Sequence, residues 1–276
     1  MTTVTEGGHT PTGSKRSPGR EASSQAAGRL TYGFLGWALA IGLWYLVAAT
    51  GLGVGLTPRP DEVVTTGWNR LTEHDLMFDV RVSVTRVLIG VGIGCAAALP
   101  VGFVLAWYGS LRAMFEPLLN FFRALPPIAL IPLVIVYLGI GESARISILV
   151  YASFFSAVVI LYEGISSIDP IFVRAARVLG ANSWEVFVKT VIPASVPHLF
   201  TAVRVALGVS WATLVAAELI AAERGLGAVI QDAGAFFRIP VIYVGIVMIG
   251  LSALLMDYAL KLVQRRTTRW QEKTSR

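Results

Sequence analysis

Disulfide chemistry is closed to this chain, because its single cysteine is Cys95. One thiol makes neither an intrachain bridge nor a cysteine-rich metal site. Histidine is nearly as scarce: His9, His74 and His198 are scattered and read as tail, loop and helix-end residues. Charge is thin as well. Only 14% of residues are Asp, Glu, Lys or Arg, where a soluble domain carries about 25%. No Gly-x4-Gly-Lys-Ser/Thr phosphate loop occurs, so this chain is not expected to bind or hydrolyse ATP itself. Residues 1–29 are rich in Gly, Ser, Thr and Arg and hold no apolar stretch before a small-residue cleavage site, which argues against a signal peptide. They are expected to form a disordered cytoplasmic tail.

What the chain does have is apolar sequence gathered into runs. Hydrophobic residues make up 55% of it. Runs at 35–52, 87–108, 128–140, 146–162, 200–222 and 241–260 approach the roughly 20 residues that cross a bilayer. The 128–140 run is short unless it starts near Phe115, which carries Arg123, Pro126 and Pro127 into the membrane. Three prolines within 126–132 free backbone groups that lipid cannot satisfy, so a kinked helix lining a pathway is expected there. Gly90, Gly92, Gly94, Ala98 and Gly102 crowd the second run, as in a helix packed closely at the centre of a bundle. Before it, Pro60 with Asp61 and Glu62 opens an expected interfacial helix over 61–79. Glycines 51, 53 and 55 mark the exit from the first run.

The net charge of +6 follows a topology. Basic residues gather in the N-terminal tail, in the 167–195 connection (Arg174, Arg177, Lys189) and after Lys261. The alternate connections carry Asp61, Glu62, Glu73, Asp75, Asp79, Glu142, Glu223 and Asp232. The positive-inside rule then puts both termini in the cytoplasm, which requires an even number of spans, and six satisfies it. Basic residues flanking spans need no nucleic acid to explain them. The expected organisation is a tail over 1–29, a membrane domain over 30–264 and a basic cytoplasmic tail over 265–276. Within the membrane domain, the fifth run carries Arg204, Trp211 and Glu218. Ionisable groups at membrane depth are functional candidates. Arg204 lies near the inner end and can snorkel, and Glu218 lies near the outer end.

The 167–195 connection is longer than a link between spans needs. Asp169 is a good N-cap, Pro170 suits the first helical position and Gly180 suits the residue after a helix. Ile171, Ala175, Val178 and Leu179 repeat at helical spacing. Ser183 is read as the cap of a second short helix over 184–191, which Pro193 ends before Pro197 opens the next span. A built, exposed helix-turn-helix of this kind implies a partner.

Arg174-Ala175-Ala176, Gly180 and Ile192-Pro193 resemble the coupling loop of permease subunits of importer-type ABC transporters, with Arg174 in place of the family's Glu. The segments around Arg123–Pro132, Leu138–Ser143 and Leu214–Gly227 are similar to the nitrate, sulfonate and taurine branch, most of all to taurine permeases. The resemblance implies an all-α polytopic bundle of about six transmembrane helices, the type I importer permease fold, in the bacterial inner membrane. It implies a non-catalytic subunit, paired with a second copy of itself, a cytoplasmic ATPase dimer that binds ATP, and an extracytoplasmic binding protein. Arg174, Ala175, Ala176, Gly180, Ala181, Ser183, Trp184, Glu185 and Pro193 would receive the ATPase. Arg123, Pro126, Pro127, Arg204, Trp211 and Glu218 are the candidate pathway residues for a small anionic solute such as taurine, an alkanesulfonate or nitrate. No cofactor is implied for this chain. An ion-coupled secondary transporter is the competing class, and only Glu218 serves it as a coupling carboxylate. An intramembrane enzyme would need a nucleophile-base pair or metal ligands within the runs, and none is found.

Overall fold

The computed structural model describes residues 18–50, 57–73 and 75–268. The glycine-rich exit after the first run, His9, His74 and most of both expected tails lie outside those residues. Among the described residues every regular element is helical: α1 (Pro18–Thr50), α2 (Pro60–Glu73), α3 (Leu76–Trp107), α4 (Gly109–Ala124), a 3-10 turn (Pro127–Leu130), α5 (Ile131–Leu138), α6 (Glu142–Ser166), α7 (Pro170–Val178), α8 (Ser183–Val186), a π-helical segment (Phe187–Val191), α9 (Ile192–Ala221), α10 (Leu226–Ala235) and α11 (Ile239–Thr267). The chain divides into two compact units, Met1–Pro60 and Asp61–Arg276.

The first unit holds α1. The described helix covers Pro18–Thr50 and so includes part of the segment expected to be a tail to residue 29. Proline suits a first turn, and Glu21, Ala22, Ala26 and Ala27 are strong helix formers, so the helix runs back beyond the apolar run. Its Thr31–Thr50 portion is long and apolar enough to cross a membrane. Trp44 Nε1–H donates to the Pro58 carbonyl at 3.1 Å.

The second unit is built on α3 and α6, which pack side by side. A Cβ at Gly90 would collide with Leu149, one at Gly94 would sit 2.6 Å from the Ser153 Cβ, and one at Gly102 would sit 2.8 Å from the Leu161 Cβ. Each pair keeps the same sequence offset, so the two helices run parallel. Small residues at a spacing of four let the backbones touch where no hydrophobic effect holds helices together. Helix α9 packs antiparallel against α6. Ser153 and Ser210 share a 2.8 Å hydrogen bond, and the His198 ring lies against Gly164.

Among the described residues, five helices are long and apolar enough to span a membrane, and a sixth span results if α4 and the 127–138 segment count as one. Those two are bent by 85°. In a continuous helix the Phe122 carbonyl would accept from residue 126, but Pro126 has no N–H. That carbonyl accepts instead from the Leu125 N–H at 3.3 Å and from the Tyr151 hydroxyl of α6 at 2.6 Å. The expected kink is therefore a break, braced by a neighbouring helix.

Two expected boundaries are corrected. The second span begins at Leu76, not near residue 87, and the interfacial helix expected over 61–79 ends at Glu73. The added turns carry Asp79, Arg81 and Arg86; hydropathy excludes them, but Asp79 and Arg86 are buried with partners. Likewise, Pro193 does not end a helix. Ser183–Ala221 is one continuous helical run that passes through the π segment, with Pro193 in the first turn of α9 and Pro197 inside it. The Ile192 N–H reaches back five residues to the Phe187 carbonyl, so the hydrogen-bond ladder changes register just before the first proline.

Replacing Gly94 with leucine is expected to force α3 off α6, at a cost of about 1–3 kcal/mol. Leucine at Gly92, where an added Cβ meets nothing within 4 Å, is expected to be tolerated. Thermal unfolding of the detergent-purified variants checks the contrast: equal melting temperatures would refute the packing account.

Candidate functional site

The 167–195 connection folds as two capped helices. The Asp169 carboxylate accepts from the Ile171 N–H at 2.8 Å and starts α7. At the other end, Gly180 adopts φ +88°. Its N–H donates to the Arg177 carbonyl and that of Ala181 donates to the Ala176 carbonyl, both at 3.0 Å. This pair of bonds is a Schellman closure, which favours glycine at the left-handed position. The second helix is capped by Asn182, not by the expected Ser183. Asn182 Oδ1 accepts from the Glu185 N–H at 2.8 Å, and the Glu185 carboxylate accepts from the Asn182 N–H at 3.1 Å. A Glu three residues after the cap makes this reciprocal box. Lys189 pairs with Glu185 at 2.9 Å. Phe187 anchors the loop against the end of α3, in edge-to-face contact with Phe103 and Trp107 at 5.6 and 5.4 Å between centroids.

This loop leaves apolar surface uncovered. Val178 and Leu179 are each 87% exposed and Trp184 is 70% exposed. Ala175, Ser183 and Pro193 are also exposed, and Ala176, Ala181 and Glu185 are half-buried. Large exposed apolar side chains on a capped backbone are the kind of surface that marks an interaction site.

At the opposite ends of α3, α6 and α9 lies an ionic cluster, buried at Arg86 and Glu218 and open to solvent at Glu142. Glu218 is fully buried. It accepts from Arg86 Nη1 at 2.6 Å, from Ser83 Oγ at 2.8 Å and from the Gly227 N–H at 2.8 Å. Arg86 also donates through Nε to Glu142 at 2.8 Å, through Nη2 to the same carboxylate, and through Nη1 to the Arg224 carbonyl at 2.7 Å. Asp79 accepts from the Gly225 N–H at 3.0 Å, and Ser83 accepts from the Leu226 N–H at 2.9 Å. Three helices and the 222–226 loop are tied at one point.

The candidate pathway residues do not converge. Glu218 is consumed by the cluster and Trp211 is buried. Arg204 sits 14 positions earlier on α9, roughly 21 Å along the helix, and is paired with Asp257 of α11 at 2.6 Å. Arg123 is exposed beside Pro126 and Pro127 at the broken span. Sequence reasoning passed over Asp79, Ser83 and Arg86. Their spacing of four and three residues puts them on one helix face, and an arginine next to an apolar run calls for a counter-charge.

Residues 91–269 match the family model described as binding-protein-dependent transport system inner membrane component. A probable ABC transporter permease protein of Brucella abortus (strain 2308) is 46% identical over 239 residues, covering 87% of this chain and 95% of that protein. The taurine transport system permease protein TauC of Escherichia coli (strain K12) is 33% identical over 239 residues, covering 84% of this chain and 87% of TauC. Among solved structures, an inward-facing form of the MetNI methionine ABC transporter aligns with a TM-score of 0.63 at 21% identity, covering 70% of this chain and 96% of that one. The fold is the type I importer permease fold.

Removing the Glu218 carboxylate, as in Glu218→Ala, is expected to cost about 3–5 kcal/mol, because buried Arg86 is left with the more exposed Glu142 as its counter-charge and Ser83 and the Gly227 N–H lose their acceptor. The double variant Arg86→Met/Glu218→Leu is expected to recover part of that loss. Membrane yield and melting temperature read both; a double variant no better than Glu218→Ala would refute the account.

Proposed function

The chain belongs to the family of binding-protein-dependent transport system inner membrane components, the non-catalytic permease subunits of ABC importers, and from that premise we propose that it forms half of an ATP-driven import pathway for a small anionic solute of the taurine or alkanesulfonate kind. The observation that carries the mechanism is the exposed helix-turn-helix at one end of a continuous helical run. Val178, Leu179 and Trp184 enter a groove of a cytoplasmic ATPase subunit, which binds the ATP. Closure of the ATPase dimer moves α7 and α8. The run from Ser183 to Ala221 carries that motion to the outer end, where α9 is tied to α3 and α6 through Glu218. A second copy of this chain completes the pathway, an extracytoplasmic binding protein delivers the solute, and both termini face the cytoplasm.

The names of the relatives support the substrate class: beside TauC, a putative aliphatic sulfonates permease of Escherichia coli is 32% identical over 240 residues. A nitrate import permease of Leptolyngbya laminosa is more distant, at 26% identity over 237 residues. Arg123 is the cation best placed to meet an anion, since Arg204 is engaged by Asp257. The ion-coupled alternative loses its coupling carboxylate, because Glu218 is bound on all sides by Arg86, Ser83 and the Gly227 N–H.

Gly180→Trp puts a bulky side chain on a left-handed residue at the docking turn. It is expected to abolish uptake and substrate-stimulated ATP hydrolysis while the protein still reaches the membrane. Full activity in that variant would sink the docking assignment. Arg123→Gln is expected to lower sulfonate uptake about tenfold while leaving ATPase co-purification intact; unchanged uptake kinetics would remove Arg123 from the pathway.

A further inference from the structure

Helix α7 has a second working face. Pro170, Val173, Arg174 and Arg177 recur at three- and four-residue spacing and line one side of a cavity of about 370 Å³. The facing wall comes from the ends of α3 and α6 and from the π segment, with Phe103, Trp107, Ile165 and Phe187 among its residues. Val178 and Leu179, the knob proposed to meet the ATPase, do not line it. One short helix thus separates two surfaces.

The chemistry of the cavity is amphiphilic. Its lining is mostly aromatic and aliphatic and includes two arginines, Arg174 and Arg177, both exposed. Neither guanidinium makes an ion pair or hydrogen bond among the described residues. The acidic groups of the loop are already engaged: Glu185 holds Lys189 and Asp169 holds the Ile171 N–H. The cavity opens where α3 and α6 end, which is the inner membrane boundary in the orientation proposed above. Trp107 lies there, as aromatic residues do at lipid interfaces.

We propose that this cavity binds an anionic phospholipid. The phosphodiester lies between Arg174 and Arg177, and the first part of an acyl chain fills the chamber between Phe103, Trp107 and Phe187. An arginine fork matches phosphate oxygens in a way an ammonium does not. Basic pockets between transmembrane helices on the cytoplasmic side have this affinity for anionic headgroups. A free anion would leave the apolar chamber unfilled, and a carboxylate of a protein partner would have no reason to enter it. The lipid would wedge the coupling helix at a set distance from α3, making transport sensitive to membrane charge.

The test uses the permease purified with its ATPase partner and placed in nanodiscs of mixed phosphatidylglycerol and phosphatidylcholine. Native mass spectrometry after delipidation reads the ratio of the two lipids retained. The wild type is expected to retain phosphatidylglycerol selectively. Arg174→Gln and Arg177→Gln are each expected to reduce that selectivity about fivefold. Ala106→Trp, which plugs the chamber and keeps both charges, is expected to abolish retention of the lipid. Unchanged selectivity in the double glutamine variant would overturn the proposal, and so would unchanged retention in Ala106→Trp. A double glutamine variant that loses its ATPase but keeps its lipid selectivity would assign the arginines to the ATPase instead. Loss of ATPase association by the wild type itself would count against the permease reading, not against the lipid site.

Discussion

An arginine cannot shed its charge, and α3 carries Arg86 into the protein interior. Every element around it is arranged to answer that constraint. Helix α9 brings Glu218, α6 brings Glu142, and the loop after α9 turns its Arg224 carbonyl inward. The demand continues outward. Glu218 has acceptor capacity beyond Arg86, and it is met by Ser83 and by the Gly227 N–H. Those backbone approaches explain the two glycines. Gly225 sits at φ +124°, and a Cβ there would strike the Glu218 carboxylate and the Arg86 guanidinium. A Cβ at Gly227 would lie 2.6 Å from that of Glu218. The Glu218 to Gly227 segment, which resembles other permeases as a string of letters, is a carboxylate and the loop that must bend to reach it.

The two ends of α9 have different mechanical characters. The C-terminal end is held by a buried ion pair, Arg86 with Glu218, whose disruption leaves a charge in a low dielectric. The N-terminal end passes through a π segment into α8, next to exposed apolar side chains. A π turn is a place where a helix ladder changes register at little cost. In the proposed cycle, a push received at the loop therefore meets a stiff run with one adaptable joint near the point of application and a locked joint far from it. The broken α4–α5 span lies between these ends. Its freed Phe122 carbonyl is stabilised by Tyr151, so the irregular backbone is tied to α6, the same helix that carries Glu142.

How legible each part was depended on how local its cause is. Asp169, Pro170 and Gly180 act within a few residues of themselves, and each lies where its chemistry predicts. The Asn182 cap was legible too, since Glu185 stands three residues on, but Ser183 is an equally good cap in isolation. Pro193 was misread for a related reason. Proline in the first turn of a helix needs no N–H partner, and after the π segment Pro193 stands in the first turn of α9. The second span was cut short because hydropathy treats Arg86 and Asp79 as costs, with no knowledge of the partners that offset them.

By itself the sequence determined a polytopic helical membrane protein whose basic residues gather in alternate connections, and that the longest of these is two helices with a glycine turn. Those features follow from apolar run length, charge placement and capping, all of which act over short stretches of chain. Tertiary structure alone decided what the buried charges do. Glu218 is a keystone because Arg86 lies 132 positions away in sequence but 2.6 Å away in space. Arg204 is anchored because α11 brings Asp257 to it. The same folding divided α7 into an outward knob and an inward basic face, since which side of a helix meets its neighbours depends on packing across the whole bundle.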